Sequence, residues 1–355
     1  MVESRKKLMR AGRLLLCASA ILGGAAIAHW TTPKYVRALP TQEPAARTSD
    51  SAPTLSAAEA PPFDDDANAN VVRIADPISF EHDSFGESFR DGITITGETQ
   101  HRFILFTFDD GPDFRTTPRL LDLLDQNHVK AVFFVAGYRI DGNYPLAQRQ
   151  AAIARDIVRR GHIIGNHTEN HLGLPSLETD EAITQIESAE AAIVRATGRR
   201  PFLFRPPYGA HSPRIDHLVQ ERGYTMMLWN IGTGDYQVRT AEDVLNIWRR
   251  AYDIRMRQEG QRGGIILLHD THAWSVEAFQ LIYNDIQRRN CELLAAGEEL
   301  FDIVGDPSVF FAPRSERGTE LAAAPKTEPP AELLDARQEL LRDEAQTRCG
   351  ALALR

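Results

Sequence analysis

The chain has 355 residues with a hydrophobic share of 43%. That is enough to bury a large core and too long for one average domain, so one large fold with appendages is expected. Its formal charge is −9, and setting aside the first 28 residues, with their five basic side chains and Glu3, leaves −13. So acidic a body excludes nucleic acid and an anionic membrane surface as expected partners.

At the N-terminus, Arg5, Lys6, Lys7, Arg10 and Arg13 precede an apolar run over 14–28 that ends in Ala26, Ile27 and Ala28. This pattern reads as a secretory signal, or as an uncleaved membrane anchor. Either way the remainder is expected to be exported (periplasmic, cell-surface or secreted), with any membrane attachment running through 1–28. The leucines before Cys17 argue against a lipoprotein cysteine. Residues 29–75 are rich in Ala, Pro, Thr and Asp and read as a disordered linker. A folded domain over 76–312 and a partly helical tail over 313–355 complete the expected organisation. In an oxidising compartment Cys291 and Cys349 could pair and tie the tail down; two free thiols are the alternative.

Within the domain, 92–96 reads as a short edge strand. The run F-I-L-F-T-F over 103–108 reads as a strand buried on both faces, ended by Gly111-Pro112. Thr117-Pro118 looks like an N-cap with proline at the first helical position, and Leu120, Leu121 and Leu124 form the buried stripe. A second strand spans 131–135. A helix carrying Ile153, Ile157 and Val158 follows and stops at Gly161. After a third strand over 163–165, a helix starting near Thr179 or Asp180 sets Ile183, Ile186, Ile193 and Val194 on one side and ends at Gly198. Further strands are expected over 202–204, 226–229, 265–268 and 301–304. Strands alternating with helices mean βαβ units and a parallel sheet, here an α/β fold closing, or nearly closing, into a barrel of about seven units. In the tail, 331–345 reads as an amphipathic helix with Leu333, Leu334, Leu340 and Leu341, either packed on the barrel or hanging free.

The residues suited to chemistry fall at strand ends, where α/β folds place their sites. Asp109 and Asp110 close the first strand, although an acidic turn is the plain alternative. His167 and His171, four apart, would share one face of a helical turn, so both imidazoles can reach one ion. With Asp110 they make a two-histidine, one-carboxylate set with open positions, suited to Zn²⁺ or a similar divalent cation such as cobalt, nickel or iron. Arg205-Pro-Pro-Tyr-Gly209 is a rigid loop or simply a tight turn. His269 is a candidate acid or base, a satisfied core histidine being the alternative. His29, His82, His101, His128, His162, His211, His217 and His272 read as ordinary.

Four motifs, T-F-D-D-G-P (107–112), H-T-E-N-H (167–171), R-P-P-Y-G (205–209) and L-L-H-D (267–270), resemble those of the polysaccharide deacetylases, carbohydrate esterase family 4. The stretches 161–166 and 196–201 agree, and the resemblance covers about 102–304. It implies a distorted (β/α) barrel with one catalytic metal, usually zinc, held by Asp110, His167 and His171. Asp109 would be the general base toward water and Arg205 its partner. The backbone N–H of Tyr208 would help hold the oxyanion formed from an acetamide carbonyl. His269 would protonate the leaving amine, with Asp235 orienting it and raising its pKa. Leu267 would line the acetyl pocket. The segment 229–236 departs from the family pattern: Asn230 and Gly232 replace acids and Tyr236 replaces a tryptophan, leaving an aromatic wall but putting the sugar contacts in doubt. The implied partner is an N-acetylated polysaccharide: peptidoglycan, a chitin-like polymer or an exopolysaccharide. An O-acetyl esterase on xylan-type polymers and a non-catalytic glycan-binding barrel are the alternatives.

Overall fold

A computed structural model describes residues 94–310 and 331–353. The expected signal or anchor over 1–28 and the linker over 29–75 lie outside the described residues. In chain order the strands are β1 (Thr94–Ile95), β2 (Phe103–Asp109), β3 (Val132–Val135), β4 (Ile163–Asn166), β5 (Leu203–Phe204), β6 (Thr225–Met227), β7 (Ile231–Gly232), β8 (Gly264–His269) and β9 (Asp302–Ile303). The helices are α1 (Thr117–Gln126), α2 (Gly137–Ile140), α3 (Pro145–Arg159), α4 (Thr179–Thr197), α5 (Pro213–Glu221), α6 (Ala241–Glu259), α7 (Ala273–Ala296) and α8 (Ala331–Ala353). All described strand pairs are parallel, in the order β1-β6-β5-β4-β3-β2-β8-β7, with β9 beside the first two residues of β2.

Alternation along each strand explains why its residues are apolar on both sides. Ile104, Phe106 and Phe108 of β2, with Ile266 and Leu268 of β8, pack outward on the helices. Phe103, Leu105 and Ile265 point the other way and fill the barrel with Val132, Phe134, Leu203 and Met227. Among the described residues the sheet stays open between β1 and β7, as expected of a distorted barrel. A side chain spans the joint: Asn230 Nδ2 donates to the Gly97 carbonyl (2.9 Å) and Asn230 Oδ1 accepts from the Ile265 N–H (2.8 Å). Among the described residues no helix is long and apolar enough to cross a membrane.

Two local expectations are revised, at Thr117 and Val194, and two open ones are decided, for the tail helix and for the cysteine pair. Thr117 is not an N-cap: it lies inside α1, and its hydroxyl donates to Asp270 Oδ2 (2.5 Å) while accepting from the Asp113 N–H (2.8 Å). On α4 the buried stripe is Ala182, Ile186, Ala189 and Ile193, whereas Val194 is exposed. The tail helix is packed rather than free, and polar groups do much of the fastening. Arg337 pairs with Asp302 (Nε to Oδ2, 2.7 Å), and Gln338 bonds both main-chain groups of Leu300 (2.8 and 3.1 Å). Leu334 packs on the barrel core while Leu340 is exposed. Cys291 of α7 and Cys349 of α8 form a disulfide across 58 residues.

A cross-link over a loop of that length restricts the unfolded chain by about 4 kcal/mol. Reduction, or Cys349→Ser, is therefore expected to lower the melting temperature and expose α8 to proteolysis, as followed by calorimetry and limited digestion. A second prediction concerns His162, which is buried and accepts the Ala131 N–H at Nδ1 (3.2 Å). Burial, with the Lys130 charge beside it, pushes its pKa down to about 4. Between that value and the ordinary one of about 6.5 the unfolded chain binds the extra proton, so stability falls as pH drops through this window. Denaturant titrations should show His162→Gln losing less stability over that range than the parent, by up to about 3 kcal/mol.

Candidate metal centre and active site

Strand register delivers the first residues of the site. Thr107 pairs with Leu267 and Asp109 with His269 along β2 and β8. These four therefore share the inward face that Phe103 and Leu105 occupy lower down. At the end of β2 the chain turns: Asp110 takes a left-handed φ of 71°, and Gly111 crosses so close to Asp270 that a Cβ there would lie 2.2 Å from both carboxylate oxygens. Only glycine fits at that crossing.

Asp110 Oδ1 lies 3.3 Å from His167 Nε2 and 3.2 Å from His171 Nε2. One ligand atom from each of the three residues falls within 4.8 Å of the others. His167 Nδ1 is 2.7 Å from the Arg205 carbonyl, which can only accept, so Nδ1 carries the proton and Nε2 turns its lone pair toward Asp110. Asp110 Oδ1 is buried without a hydrogen-bond donor. Burial pushes the Asp110 carboxyl up, but the His167, His171 and His269 rings outweigh it and hold it well below the usual carboxylate range. Burial pushes His171 down. An ionised carboxylate with an orphaned oxygen, beside imidazole nitrogens, fits a divalent cation. The two histidines do not meet on a helical turn, however. Residues 167–171 form a loop in which Thr168 and His171 have φ of 67° and 53°, and these left-handed residues fold the rings to 5.0 Å between centroids. Asn166 braces that loop, accepting the Thr168 N–H (2.9 Å) and donating to the Ile186 carbonyl (2.9 Å).

Beside the triad, Asp109 is 3% exposed and Arg205 is fully buried. Arg205 NH1 donates to Asp109 Oδ1 (2.7 Å) and to Thr107 Oγ1 (2.8 Å), while Nε and NH2 donate to the carbonyls of Met227 and Leu228 (2.9 Å each). Its guanidinium lies 4.1 Å from the Phe134 ring centroid. Asp109 Oδ2 faces His167 Nε2 at 3.8 Å. The carboxylate is thus held by one oxygen and presents the other toward the triad.

On the opposite side, His269 Nδ1 is 2.8 Å from Asp235 Oδ1, and His269 Nε2 faces Asp110 Oδ2 at 3.9 Å. Burial pulls the His269 pKa down, yet Asp235, with help from Asp109 and Asp110, raises it to about 9. Tyr236 is 54% exposed and sets its ring edge-on to His269 at 5.9 Å. Leu267 lines the inward face between Thr107 and Gly232. Tyr208 has a left-handed φ of 62°, an uncommon conformation for a bulky residue, and its ring covers His171 at 4.7 Å. The structure thus brings all ten sequence-predicted site residues to one end of the barrel.

The two missing acids separate. Asn230 is used at the barrel joint, level with the start of β8, and so does not reach the end of the barrel that carries the site. Gly232 pairs with Leu267, and a Cβ there would meet only Trp229 Nε1 at 3.7 Å, so it alone leaves room next to the site. Sequence reasoning missed Thr107, Ser275 and Trp274. It also read His272 as ordinary, although that ring lies 6.0 Å from His269 and stacks on Trp274 at 4.7 Å. Ser275 Oγ donates to Asp235 Oδ2 (2.5 Å), and Trp274 Nε1 to the Asp235 carbonyl (2.7 Å). Thr107 opens the T-F-D-D-G-P motif, and the signal for His272, Trp274 and Ser275 was their place just after L-L-H-D.

Residues 96–227 match the sequence profile of the polysaccharide deacetylase domain. Chitin deacetylase 1 of Saccharomyces cerevisiae is 39% identical over 172 residues, covering 48% of this chain and 53% of the yeast protein. A peptidoglycan-N-acetylglucosamine deacetylase of Bacillus cereus is 30% identical over 213 residues, covering 59% of this chain and 92% of the relative. A second one from that organism is matched over 56% of its length, so the chain spans about half of it and of the yeast protein. Among solved structures, the Bc1960 peptidoglycan N-acetylglucosamine deacetylase superposes with a TM-score of 0.50 at 29% identity, over 64% of this chain and 95% of that one. The chain belongs to the polysaccharide deacetylase family.

Proposed function

We propose that the protein is a metal-dependent amidase that removes acetyl groups from N-acetylhexosamine units of an exported polysaccharide. The observation that carries this reading is the pairing of two differently built halves around Asp110: the Asp109–Arg205 pair beside the ligand triad, and the Asp235-supported His269 facing it. Asp110, His167 and His171 would hold the cation, zinc being the best fit to the donor set. When bound, such an ion supplies Lewis acidity toward water and the acetamide carbonyl.

The chain's own groups perform the remaining work. Asp109, held in place through Oδ1 by Arg205, takes the proton of the attacking water through its Oδ2. The Tyr208 N–H donates to the oxygen that becomes negative, and Leu267 with Tyr236 walls in the methyl group. His269, its pKa raised by Asp235 with help from Asp109 and Asp110, gives its Nε2 proton to the departing nitrogen. An amine leaves poorly without that proton, whereas an ester oxygen scarcely needs it, so the investment around His269 favours amide over ester. The relatives named for peptidoglycan and chitin support an N-acetylglucosamine polymer as substrate. The Cys291–Cys349 disulfide supports an oxidising, exported location, with any membrane attachment through 1–28.

The purified protein should release acetate from N-acetylglucosamine oligomers or peptidoglycan when zinc is added, and Asp109→Asn should reduce kcat by about 10²–10⁴-fold. No release from any N-acetylated glycan, with metal bound, would sink the amidase and turn attention to acetylated xylan. His171→Ala is expected to weaken zinc binding strongly in calorimetric titration; undiminished affinity would remove His171 from the ligand set.

A further inference from the structure

The proton donor is only as well placed as the carboxylate behind it, and two of the three groups that hold Asp235 through its side chain belong to His269 itself. His269 Nδ1 bonds Oδ1 (2.8 Å) and the His269 N–H bonds Oδ2 (2.7 Å). The third is Ser275 Oγ, at 2.5 Å from Oδ2. Ser275 and Asp235 are both 0% exposed, so water does not substitute for a lost bond at either. We infer that Ser275 is a positioning residue for the amide-cleaving step: its hydroxyl fixes the plane of the Asp235 carboxylate, which in turn aims His269.

Local structure makes this placement deliberate rather than incidental. Ser275 lies in the first turn of α7, which begins directly after the His269-Asp270 turn, and the Ser275 N–H is bonded to the His272 carbonyl (3.1 Å). A serine near a helix start ordinarily turns its oxygen to the helix's own free N–H groups. Here the oxygen turns away from the helix, donating to Asp235 and receiving the His269 N–H at 3.3 Å. The neighbouring Trp274 clamps the same residue from its backbone side, donating to the Asp235 carbonyl (2.7 Å), and is itself packed between His272 (4.7 Å) and the Arg239 guanidinium (4.9 Å). Without Ser275 the carboxylate would be held only by the histidine it is meant to orient, and both could drift together.

This inference rests on the amidase reading above, and the test separates the two. A Ser275→Ala enzyme should lose about 10- to 100-fold in kcat on an N-acetylglucosamine oligomer, the size of loss usual for a supporting partner of a site residue. Its loss on p-nitrophenyl acetate, whose leaving group needs no proton, should be at least tenfold smaller. KM and zinc content should hold, and Ser275→Thr should recover most of the amide activity. Equal losses on amide and ester, or no loss on the amide, would overturn the assignment. If the parent enzyme proves inactive on all amides, the amidase reading fails by itself. The positioning claim is then decided by proton NMR: the downfield His269 Nδ1–H resonance should be present in the parent and in Ser275→Thr and broadened or displaced in Ser275→Ala. An unchanged resonance in the alanine variant would refute it.

Discussion

A guanidinium with no exposure to solvent is costly, and Arg205 meets that cost by organising everything around it. Burial alone pushes its pKa down, and Asp109 is the charge that opposes this. Thr107 and two main-chain carbonyls take three more of its donors, which fixes the plane of the guanidinium. Its own carbonyl fixes the proton of His167. One residue therefore fixes the position of the carboxylate beside the candidate metal centre, sets the tautomer of a proposed ligand and links β2 to β5 and β6. Removing either partner of such a buried pair is far more damaging than the pair's net worth, because it strands the other charge.

Around that pair, the two halves of the site are held by different means. The ligand side depends on loops whose residues sit in left-handed conformations, Asp110, Thr168, His171 and Tyr208, each strained for a non-glycine residue. Packing beneath them over-determines these turns: Asp270 against Gly111, Asn166 against Thr168, and the Tyr208 ring over His171. The acid side depends on regular structure, the end of β8 and the first turn of α7. This division suits the proposed roles, since the three proposed ligands must converge from the ends of two strands, β2 and β4, while the proposed acid needs only one well-aimed ring.

The central strands and the site-bearing motifs were legible because apolar runs such as 103–108 and 265–268 leave no other reading and because each motif closes a strand. Helical spacing misled at His167 and His171, where a loop with left-handed residues brings the rings together; spacing alone carries no φ. Asn230 could not be read as the residue that spans the barrel joint, because its partners, Gly97 and Ile265, are remote in sequence. Val194 looked like part of a buried stripe, but the small residues Ala182 and Ala189 do the packing on α4. The docking of α8 depends on Arg337, Gln338 and Cys349 meeting partners far away along the chain, which no local periodicity reveals. Ser275 was invisible for the same reason: a serine becomes informative only once its oxygen is seen to face a buried carboxylate.

The most direct test of the account is anomalous diffraction at the zinc edge from crystals of the zinc-loaded protein. One strong peak within bonding distance of Asp110, His167 Nε2 and His171 Nε2 is predicted, with Asp109 still paired to Arg205 and outside the coordination sphere. A peak elsewhere, no peak at all, or Asp109 drawn away from Arg205 into the ligand set would contradict the division of roles between the two carboxylates.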